Sequence, residues 1–411
     1  MFNLNRYAAV ASLLIILTFG SLALNAQSQF VYVVNQLSNN VSAYTLDASS
    51  GALTAVAGSP FGTGNGPNAA AIDGKGMFLY VANQNFPAGS GSISAYVINA
   101  ASGVLIPIAG APFVADGEPY GLTVDPTGKF AYITNVFSNS VSAYTIDAIS
   151  GAVTPAVGSP FATGGGEPEG VAVDPTGKFV YVPNSETNSV SAFAINATSG
   201  TLTGVAGSPF ATGTTPQGVG NVAFDPTGRF VYVSNQNSNT ISAYSINATS
   251  GALTPIVGSP FATGSQPTAV AIGPAGKFVY VSNGNSNNIS AYTIDATSGA
   301  LTPMAGSPFA TGLFPHCVAI DSSGKFVYVA NAGSNDVSAF TMDATTGVLM
   351  SVAGSPFAAG SSPFGIAIVG TPIKIPVSKD ECKHNGWMTL SRPDGSQFRN
   401  QGQCTQFINS L

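Results

Sequence analysis

The sequence contains little charge. Only 7% of its 411 residues are Asp, Glu, Lys or Arg, and the formal net charge is −6 with a pI near 4.7. Nucleic acid binding needs clustered Lys and Arg, so this composition argues against a nucleic acid partner. Gly is abundant, with 48 residues, and Ser, Thr and Asn recur throughout. Such a composition is typical of β-strands joined by tight polar turns rather than of solvated helices.

Long apolar runs are also missing, except at the start of the chain. A run from about residue 7 to residue 24 precedes Asn25 and Ala26, which predicts a signal peptide over residues 1–26, cleaved after Ala26. The alternative is an uncleaved anchor, because the run is close to the shortest length that spans a bilayer. With cleavage, we expect a mature chain without a membrane span that is secreted, periplasmic or bound at the cell surface.

Cysteine is scarce, with three residues in the whole chain. Cys382 and Cys404 flank a short C-terminal segment and predict a disulfide, which requires an oxidising compartment. Residues 371–411 are richer in charge and hold the only Trp, so we interpret them as a separate disulfide-stapled tail. The alternative of a Cys2His2 metal site lacks its histidines, because His384 stands alone beside Cys382.

A repeat dominates the rest of the sequence. Successive starts of the motif Phe-x-Tyr-x-x-Asn differ by 48 to 52 residues, by subtraction of their positions. Each copy contains four strand-like runs, which predicts one propeller blade per copy. We therefore expect an all-β, seven-bladed β-propeller with four antiparallel strands per blade over residues 27–370. From blade 1 to blade 7, the motif starts at Phe30, Phe78, Phe130, Phe179, Phe230, Phe278 and Phe326.

The ends of the repeat array predict how the ring closes. The array begins with the second strand of a blade, at Phe30, and ends with a lone first strand at 363–369. Pairing of these two strands would leave no unpaired end to fray or aggregate. The turns between first and second strands read Asp-Pro-Thr-Gly at Asp125, Asp174 and Asp225, as in type I turns.

The motifs F-V-Y-V-S-N, S-A-Y-T-I-D and V-A-V-D-P-T-G-K-F resemble the YVTN-repeat propellers and the lactonase family related to 6-phosphogluconolactonase, over residues 30–369. The resemblance implies lactone chemistry, with Arg, His and Glu near the central channel. No arginine of this propeller can take that role, because every basic residue falls in the turn between the first and second strands of a blade. These turns share one face of the ring, the bottom, whereas the loops that precede the first strands lie on the other face, the top. A phosphorylated lactone, which needs Arg or Lys for its phosphate, is therefore disfavoured. The basic residues are Lys75, Lys129, Lys178, Arg229, Lys277 and Lys325.

The candidate site is the ring of residues that follow the Pro opening each first strand, because these should lie at the channel mouth on the top face. The alternative is a channel that is simply solvated. The position in blade 5 is the least defined, because Pro216 to Asp225 is three residues longer than the equivalent span elsewhere. The ring reads Asn68, Tyr120, Glu169, Gln217, Thr268, His316 and Phe364.

One sector of the top face carries most of the unusual residues. The loop after Asn83 is longer than in other blades, and carboxylates concentrate on the next two blades. Oxygen-rich clusters can hold Ca²⁺, but dispersed surface carboxylates are commoner, so we expect no metal and no cofactor. The acidic residues are Asp116, Glu118, Glu167, Glu169 and Glu186.

Two further residues stand out in blade 7. His316 is the only histidine of the propeller, and it is a candidate general base for lactone hydrolysis. The alternative role is a hydrogen-bonding channel residue. Cys317 occupies a position held by Ala or Gly in most blades, so we expect a buried small residue.

Three functions are consistent with these patterns. We rank first a binding or protein-interaction scaffold, monomeric, whose top face takes a small polar ligand, a glycan or a protein. Its candidate ligand-binding residues are the mouth ring together with Glu118 and Glu167. A lactone hydrolase with His316 and Glu169 as catalytic residues ranks second, and a structural cell-surface protein third.

Overall fold

The computed structural model describes residues 29–85 and 91–370, together with 382–383, 400–401 and 403–405. The predicted signal segment 1–26, the longer loop at 86–89 and most of the predicted tail, including His384, lie outside the described residues. Cys382 and Cys404 are described and are joined by a disulfide, as predicted. The described residues include no helix with the length and apolarity needed to cross a membrane.

The repeats form seven antiparallel sheets, one for each blade, so the predicted β-propeller is confirmed. Within each sheet the strand with the Phe-x-Tyr-x-x-Asn motif lies between the first and third strands. In blades 2 to 7 every residue of this strand is buried. Neighbouring blades cover both of its faces, which explains its continuous apolar sequence.

Each blade has an inner strand, which is its first, followed by a second, a third and an outer strand. In order of the blade to which they belong, starting with blade 1, the inner strands are Pro363–Val369, Pro67–Ile72, Pro119–Val124, Ala172–Val173, Val222–Phe224, Pro267–Ile272 and Pro315–Ile320. The second strands are Gln29–Asn35, Phe78–Asn83, Phe130–Asn135, Phe179–Asn184, Phe230–Asn235, Phe278–Asn283 and Phe326–Asn331. The third strands are Asn40–Leu46, Ser92–Ile98, Ser140–Ile146, Ser189–Ile195, Thr240–Ile246, Asn288–Ile294 and Asp336–Met342.

The outer strand of each blade consists of two short pieces rather than the single run expected from the sequence. The interruption is the Gly-Ser-Pro turn, where Pro has no N–H to donate to a ladder. In blade 6 the Ser307 hydroxyl accepts the Ala291 N–H at 2.9 Å, so this donor of the third strand keeps a partner at the interruption. The first pieces are Leu53–Ala55, Leu105–Pro107, Val153–Pro155, Leu202–Gly204, Leu253–Pro255, Leu301–Pro303 and Leu349–Ser351. The second pieces are Phe61–Gly62, Phe113–Val114, Phe161–Ala162, Phe210–Ala211, Phe261–Ala262, Phe309–Ala310 and Phe357–Ala358.

The ring closes in blade 1 as the sequence predicted. Pro363–Val369 pairs antiparallel with Gln29–Asn35, in a register that places Val33 opposite Ile366. The last strand of the array thus becomes the inner strand of the first blade, and both ends of the propeller are held in one sheet.

Neighbouring blades are joined by the tyrosine of the repeat motif. Each Tyr is buried, and its hydroxyl donates a hydrogen bond of 2.5–3.0 Å to a glycine carbonyl in the next blade, at the turn between third and outer strands. We call this contact the Tyr–Gly latch, and it occurs at all seven junctions. The pairs are Tyr32–Gly103, Tyr80–Gly151, Tyr132–Gly200, Tyr181–Gly251, Tyr232–Gly299, Tyr280–Gly347 and Tyr328–Gly51.

The latch requires glycine for two reasons. Gly251 has φ +76, a left-handed conformation that other residues adopt only with strain. A Cβ at Gly251 would also lie 2.5 Å from the ring of Phe179, the first residue of the motif in the preceding blade. The Phe and the Tyr of one motif therefore pack on a single glycine of the next blade.

The Asp-Pro-Thr-Gly turns are fixed by their first residue. In blade 5 one Asp225 carboxylate oxygen accepts the N–H groups of Arg229 at 2.7 Å and Phe230 at 2.6 Å. Asp73, Asp125, Asp174 and Asp321 make the same pair of bonds. Blade 6 is the exception, because Gly273 occupies the Asp position.

Gly273→Asp is expected to stabilise blade 6. Gly273 does not have a positive φ, and a Cβ there would meet only the Met342 methyl at 3.7 Å, so an Asp fits. Its carboxylate could accept the Lys277 and Phe278 N–H groups, for a gain of about 1–2 kcal/mol from charge-assisted hydrogen bonds. Denaturant unfolding and hydrogen exchange of these two amides would measure the gain.

Asp321→Gly is the matched control, since it places glycine at the same turn position in blade 7 and should destabilise that blade by a similar amount. Unchanged amide protection in Gly273→Asp would contradict the role assigned to the turn carboxylate.

Candidate active site

The mouth of the channel is formed where the inner strands begin, and two of these strands are broken there. In blade 4 regular pairing covers only Ala172–Val173, with an isolated bridge from Pro168 to Asn184. In blade 5 the inner strand begins at Val222. The backbone between the opening Pro and the strand is therefore free to take a different path in these two blades.

Glu169 lies in the gap of blade 4, and its side chain is only 5% exposed. The Gly218 N–H donates to its Oε2 at 3.0 Å. Burial raises the pKa of Glu169 from 4.5 to about 7, although the hydrogen bonds from Gly218 and the Gln217 side chain act in the opposite direction. A carboxyl with this pKa is about half ionised at neutral pH.

The three extra residues of blade 5, Gln217, Gly218 and Val219, lie across the channel. Gly218 has φ +121, and a Cβ there would lie 2.1 Å from the Thr268 carbonyl of blade 6, so no other residue fits. Val219 packs against the hydrophobic cluster that includes Ala69 and Leu122, on the inner strands of blades 2 and 3. The insertion thus delivers hydrogen-bond donors to Glu169 and also fills part of the channel.

Three aromatic rings from blades 7, 1 and 3 pack together at the mouth. Phe364 stacks on His316 with ring centroids 3.4 Å apart, and Tyr120 meets Phe364 edge-on at 6.2 Å. His316 Nδ1 is 3.3 Å from the Phe364 carbonyl, which can only accept, so Nδ1 carries the proton of this bond. Burial lowers the pKa of His316 to about 4, which leaves the imidazole neutral at pH 7.

Tyr120 packs against Phe364 and interacts electrostatically with Glu169. Burial, and then the charge of Glu169, raise the pKa of its hydroxyl well above 10. The hydroxyl therefore stays protonated and is a hydrogen-bond donor at every physiological pH. The mouth combines one carboxyl that titrates near neutrality with one permanent donor.

A family model described as "Lactonase, 7-bladed beta-propeller" matches residues 20–167, 159–263 and 256–362, which together cover most of the chain. The chain belongs to this lactonase family. No curated protein matches the sequence.

Solved structures share the fold of this lactonase propeller. A candidate 6-phosphogluconolactonase from Bacteroides fragilis aligns with a TM-score of 0.70 at 20% identity, over 84% of this chain and 98% of that one. The periplasmic gluconolactonase of Pseudomonas aeruginosa aligns with a TM-score of 0.69 at 20% identity, over 84% and 99%. At this identity the likeness establishes the fold alone.

The acidic sector of the lactonase propeller does not converge on one point. Glu118 is buried and accepts the Gln84 amide at 3.2 Å, whereas Glu167 is exposed and accepts the Ser185 hydroxyl at 3.1 Å. Glu169 has its own partners in the blade 5 insertion. Within the part of the chain that the structure describes, no three His, Cys, Asp or Glu residues are grouped to hold a metal ion.

Two residues of the predicted ring at the channel mouth make hydrogen bonds that give them a structural role. The Thr268 hydroxyl, 1% exposed, bonds the Ser282 hydroxyl at 2.9 Å and the Pro315 carbonyl of blade 7 at 2.9 Å. Asn68 is fully buried and hydrogen-bonds Gln36 and Gln84. Their predicted ligand contacts remain predictions, as do those of Glu118, Glu167, Gln217 and Phe364.

His316 and Glu169, the predicted catalytic pair, share no hydrogen bond or ion pair among the described residues. They lie in blades 7 and 4, and only Glu169 has a pKa near neutrality. Cys317 is buried, as expected from its small neighbours in other blades.

Sequence reasoning missed the backbone donor Gly218 and the buried Asn221. Asn221 occupies the position of Gly170 in the preceding blade, and neither atom of its amide has a partner in the described structure. The extra length of 216–225 was the available signal, but it does not specify the path of the insertion. That path depends on packing against blades 2, 3 and 6.

Glu169→Gln should remove a pH-dependent loss of stability. Burial raises the pKa of Glu169 in the folded state, so folding favours the protonated carboxyl. The contribution of this group to the free energy of unfolding is therefore fully present below about pH 4.5, and it is lost as the pH rises through about 7. Gln resembles the protonated carboxyl, so the variant should gain up to about 3 kcal/mol on wild type across that window. Denaturant unfolding of both proteins at several pH values measures the difference.

The contribution of His316 is common to both proteins and cancels in this comparison. Glu186→Gln, which changes an exposed carboxyl of the same acidic sector, should leave the pH dependence of stability close to that of wild type. A flat difference for Glu169→Gln as well would mean that its carboxyl is not destabilised by burial.

Proposed function

We propose that this propeller hydrolyses an uncharged lactone at the channel mouth, with Glu169 as the general base. The observation that supports this most directly is the buried Glu169 carboxyl with a pKa of about 7. A general base is most effective when its pKa lies near the working pH. The pKa of His316, about 4, makes the imidazole the weaker base of the two predicted catalytic residues.

Hydrolysis of the ester bond in a lactone requires one proton to be taken from the attacking water and one to be given to the departing oxygen. In the proposed reaction, the Glu169 carboxylate takes a proton from water as the water oxygen attacks the lactone carbonyl carbon. The tetrahedral intermediate then collapses, the bond from the carbonyl carbon to the ring oxygen breaks, and Glu169 returns the proton to the departing alkoxide. The product is one hydroxy acid, so atoms and charge balance.

The Tyr120 hydroxyl is the proposed donor to the lactone carbonyl. Negative charge develops on that oxygen during attack, and a preorganised donor in a poorly solvated site stabilises it. The raised pKa of Tyr120 keeps its proton in place. Phe364 and His316 would form the apolar wall against which the substrate lies.

The proposed substrate carries no phosphate. All six basic residues between positions 30 and 369 lie in bottom turns, as illustrated by Arg229, which pairs with Asp225 and bonds the Ala296 carbonyl. The mouth instead holds Glu169, whose negative charge would repel a phosphate. A neutral lactone avoids this cost.

Family membership supports the hydrolase better than the binding scaffold that we ranked first from the sequence. We also propose that the protein works outside the cytoplasm. Support comes from the apolar run near the N-terminus and from the Cys382–Cys404 disulfide, because disulfides persist in oxidising compartments.

Purified protein should hydrolyse δ-valerolactone or glucono-δ-lactone faster than the buffer blank, with kcat/KM rising as pH increases through about 7. Glu169→Gln should lower kcat/KM by about 100-fold or more, the usual cost of losing a general base. Glu186→Gln, which changes an exposed carboxyl of the same acidic sector, should stay close to wild type. A pH-stat assay measures all three proteins.

Full activity in Glu169→Gln would exclude this carboxyl as the base. Absence of turnover for every neutral lactone, or a strong preference for 6-phosphoglucono-δ-lactone, would overturn the proposed substrate class.

A further inference from the structure

A groove on the top face lies between blades 1 and 2, away from the basic bottom rim. Its volume is about 460 Å³, within the range of small-molecule sites. The loop after the second strand of blade 1 forms one wall, and the loops that flank the inner and second strands of blade 2 form the other. The lining residues are Gln36, Leu37, Asn39, Asn65, Gly66 and Gln84.

The side-chain amides of this groove are held in a fixed order by a chain of hydrogen bonds. The chain starts at the buried carboxylate of Glu118, whose Oε2 accepts Gln84 Nε2 at 3.2 Å. Gln84 Oε1 then accepts Asn68 Nδ2 at 3.2 Å, and Asn68 Oδ1 accepts Gln36 Nε2 at 2.6 Å. A carboxylate only accepts, so each amide in turn has one permitted orientation.

This order determines what the groove offers a ligand. Gln36 uses its NH₂ within the chain and leaves its carbonyl oxygen as an acceptor, whereas Asn39 uses its carbonyl oxygen to accept the Gly66 N–H at 2.8 Å and leaves its NH₂ as a donor. Donors and acceptors are thus presented side by side before a ligand arrives. Preorganisation of this kind reduces the entropy lost on binding.

The groove is neutral, and it has one apolar surface. None of the lining residues that the structure describes is charged, which disfavours ionic ligands. Leu37 is 71% exposed and provides an aliphatic face beside the amides. A sugar ring has both properties required of a matching ligand, since its hydroxyls donate and accept while its C–H face is apolar.

The pair of glutamines is particular to this junction. The residue after the motif Asn is Gln in blades 1, 2 and 5, and only the first two are neighbours. In the other four blades it is Val136, Ser185, Gly284 or Ala332. The repeat alone therefore does not account for the amide chain.

We propose that this groove is a binding site for a neutral saccharide, separate from Glu169 and independent of the hydrolysis proposed above. The Gln36, Asn68 and Gln84 chain fixes the hydrogen-bonding groups, and Leu37 receives the C–H face of the sugar. The ligand is a free sugar or the terminal residue of a glycan.

Binding can be tested with full-length protein by saturation-transfer NMR and calorimetry. The probes are methyl glucoside, methyl galactoside and methyl mannoside for free sugars, and maltotriose, cellotriose and chitotriose for glycans. At least one should bind with a Kd of about 1 mM or tighter. Because the groove is uncharged, raising the salt concentration should leave that affinity unchanged.

Two variants locate the site. Gln84→Leu breaks the amide chain, and Leu37→Asp places a charge on the exposed apolar face without altering the core. Each should weaken saccharide binding by about tenfold or more, the cost of losing a hydrogen bond or apolar contact to a ligand. Gln236→Leu, at the same loop position in blade 5, is the matched control and should bind as wild type does.

Failure of every probe to bind wild-type protein would overturn the proposal. So would binding that falls equally in the Gln236→Leu control, or binding that survives Leu37→Asp unchanged. Tighter binding of trisaccharides than of methyl glycosides would assign the groove to glycans, and equal binding would assign it to free sugars.

Discussion

The Tyr–Gly latch is the contact on which the rest of the ring depends. One buried tyrosine from each blade donates to a glycine carbonyl of the next, and the phenylalanine of the same motif covers that glycine. The contact is repeated seven times, and the last copy, Tyr328 to Gly51, joins the final blade to the first. Together with the shared sheet of blade 1, it holds the inner strands at constant positions around the channel. Departures from the repeat can then appear at the mouth while the frame stays intact.

Most of this frame was predictable from the sequence, because each recurring position of the repeat has one structural role, in a buried strand or in a turn. The Phe-x-Tyr-x-x-Asn period gave the number of blades, and the lone strand at 363–369 gave the closure. The division of the outer strand was not predicted, because the sequence was divided into only four strand-like runs per copy. The candidate site was predicted in part. Glu169 was located from its position after Pro168, but its burial and its Gly218 partner depend on contacts among blades 4, 5 and 6 that no local pattern specifies.

The active-site proposal rests on an electrostatic contrast between two buried groups. Burial raises the pKa of Glu169 to about 7 and lowers the pKa of His316 to about 4. Both groups are therefore largely neutral near pH 6, and only the carboxyl changes charge near pH 7. The same absence of charge characterises the groove between blades 1 and 2, where amides replace ions. Both proposals accordingly assign neutral, hydroxyl-bearing ligands to the top face.

The broken strands of blades 4 and 5 bury the Glu169 carboxyl, whose pKa lies near neutrality. The most direct measurement is the titration of side-chain carboxyl ¹³C resonances in glutamate-labelled protein, with the Glu169 signal assigned by its loss in Glu169→Gln. A midpoint near pH 7 is expected for that signal. A midpoint near 4.5, the ordinary value for this side chain, would contradict both the burial of Glu169 and its proposed role as the base.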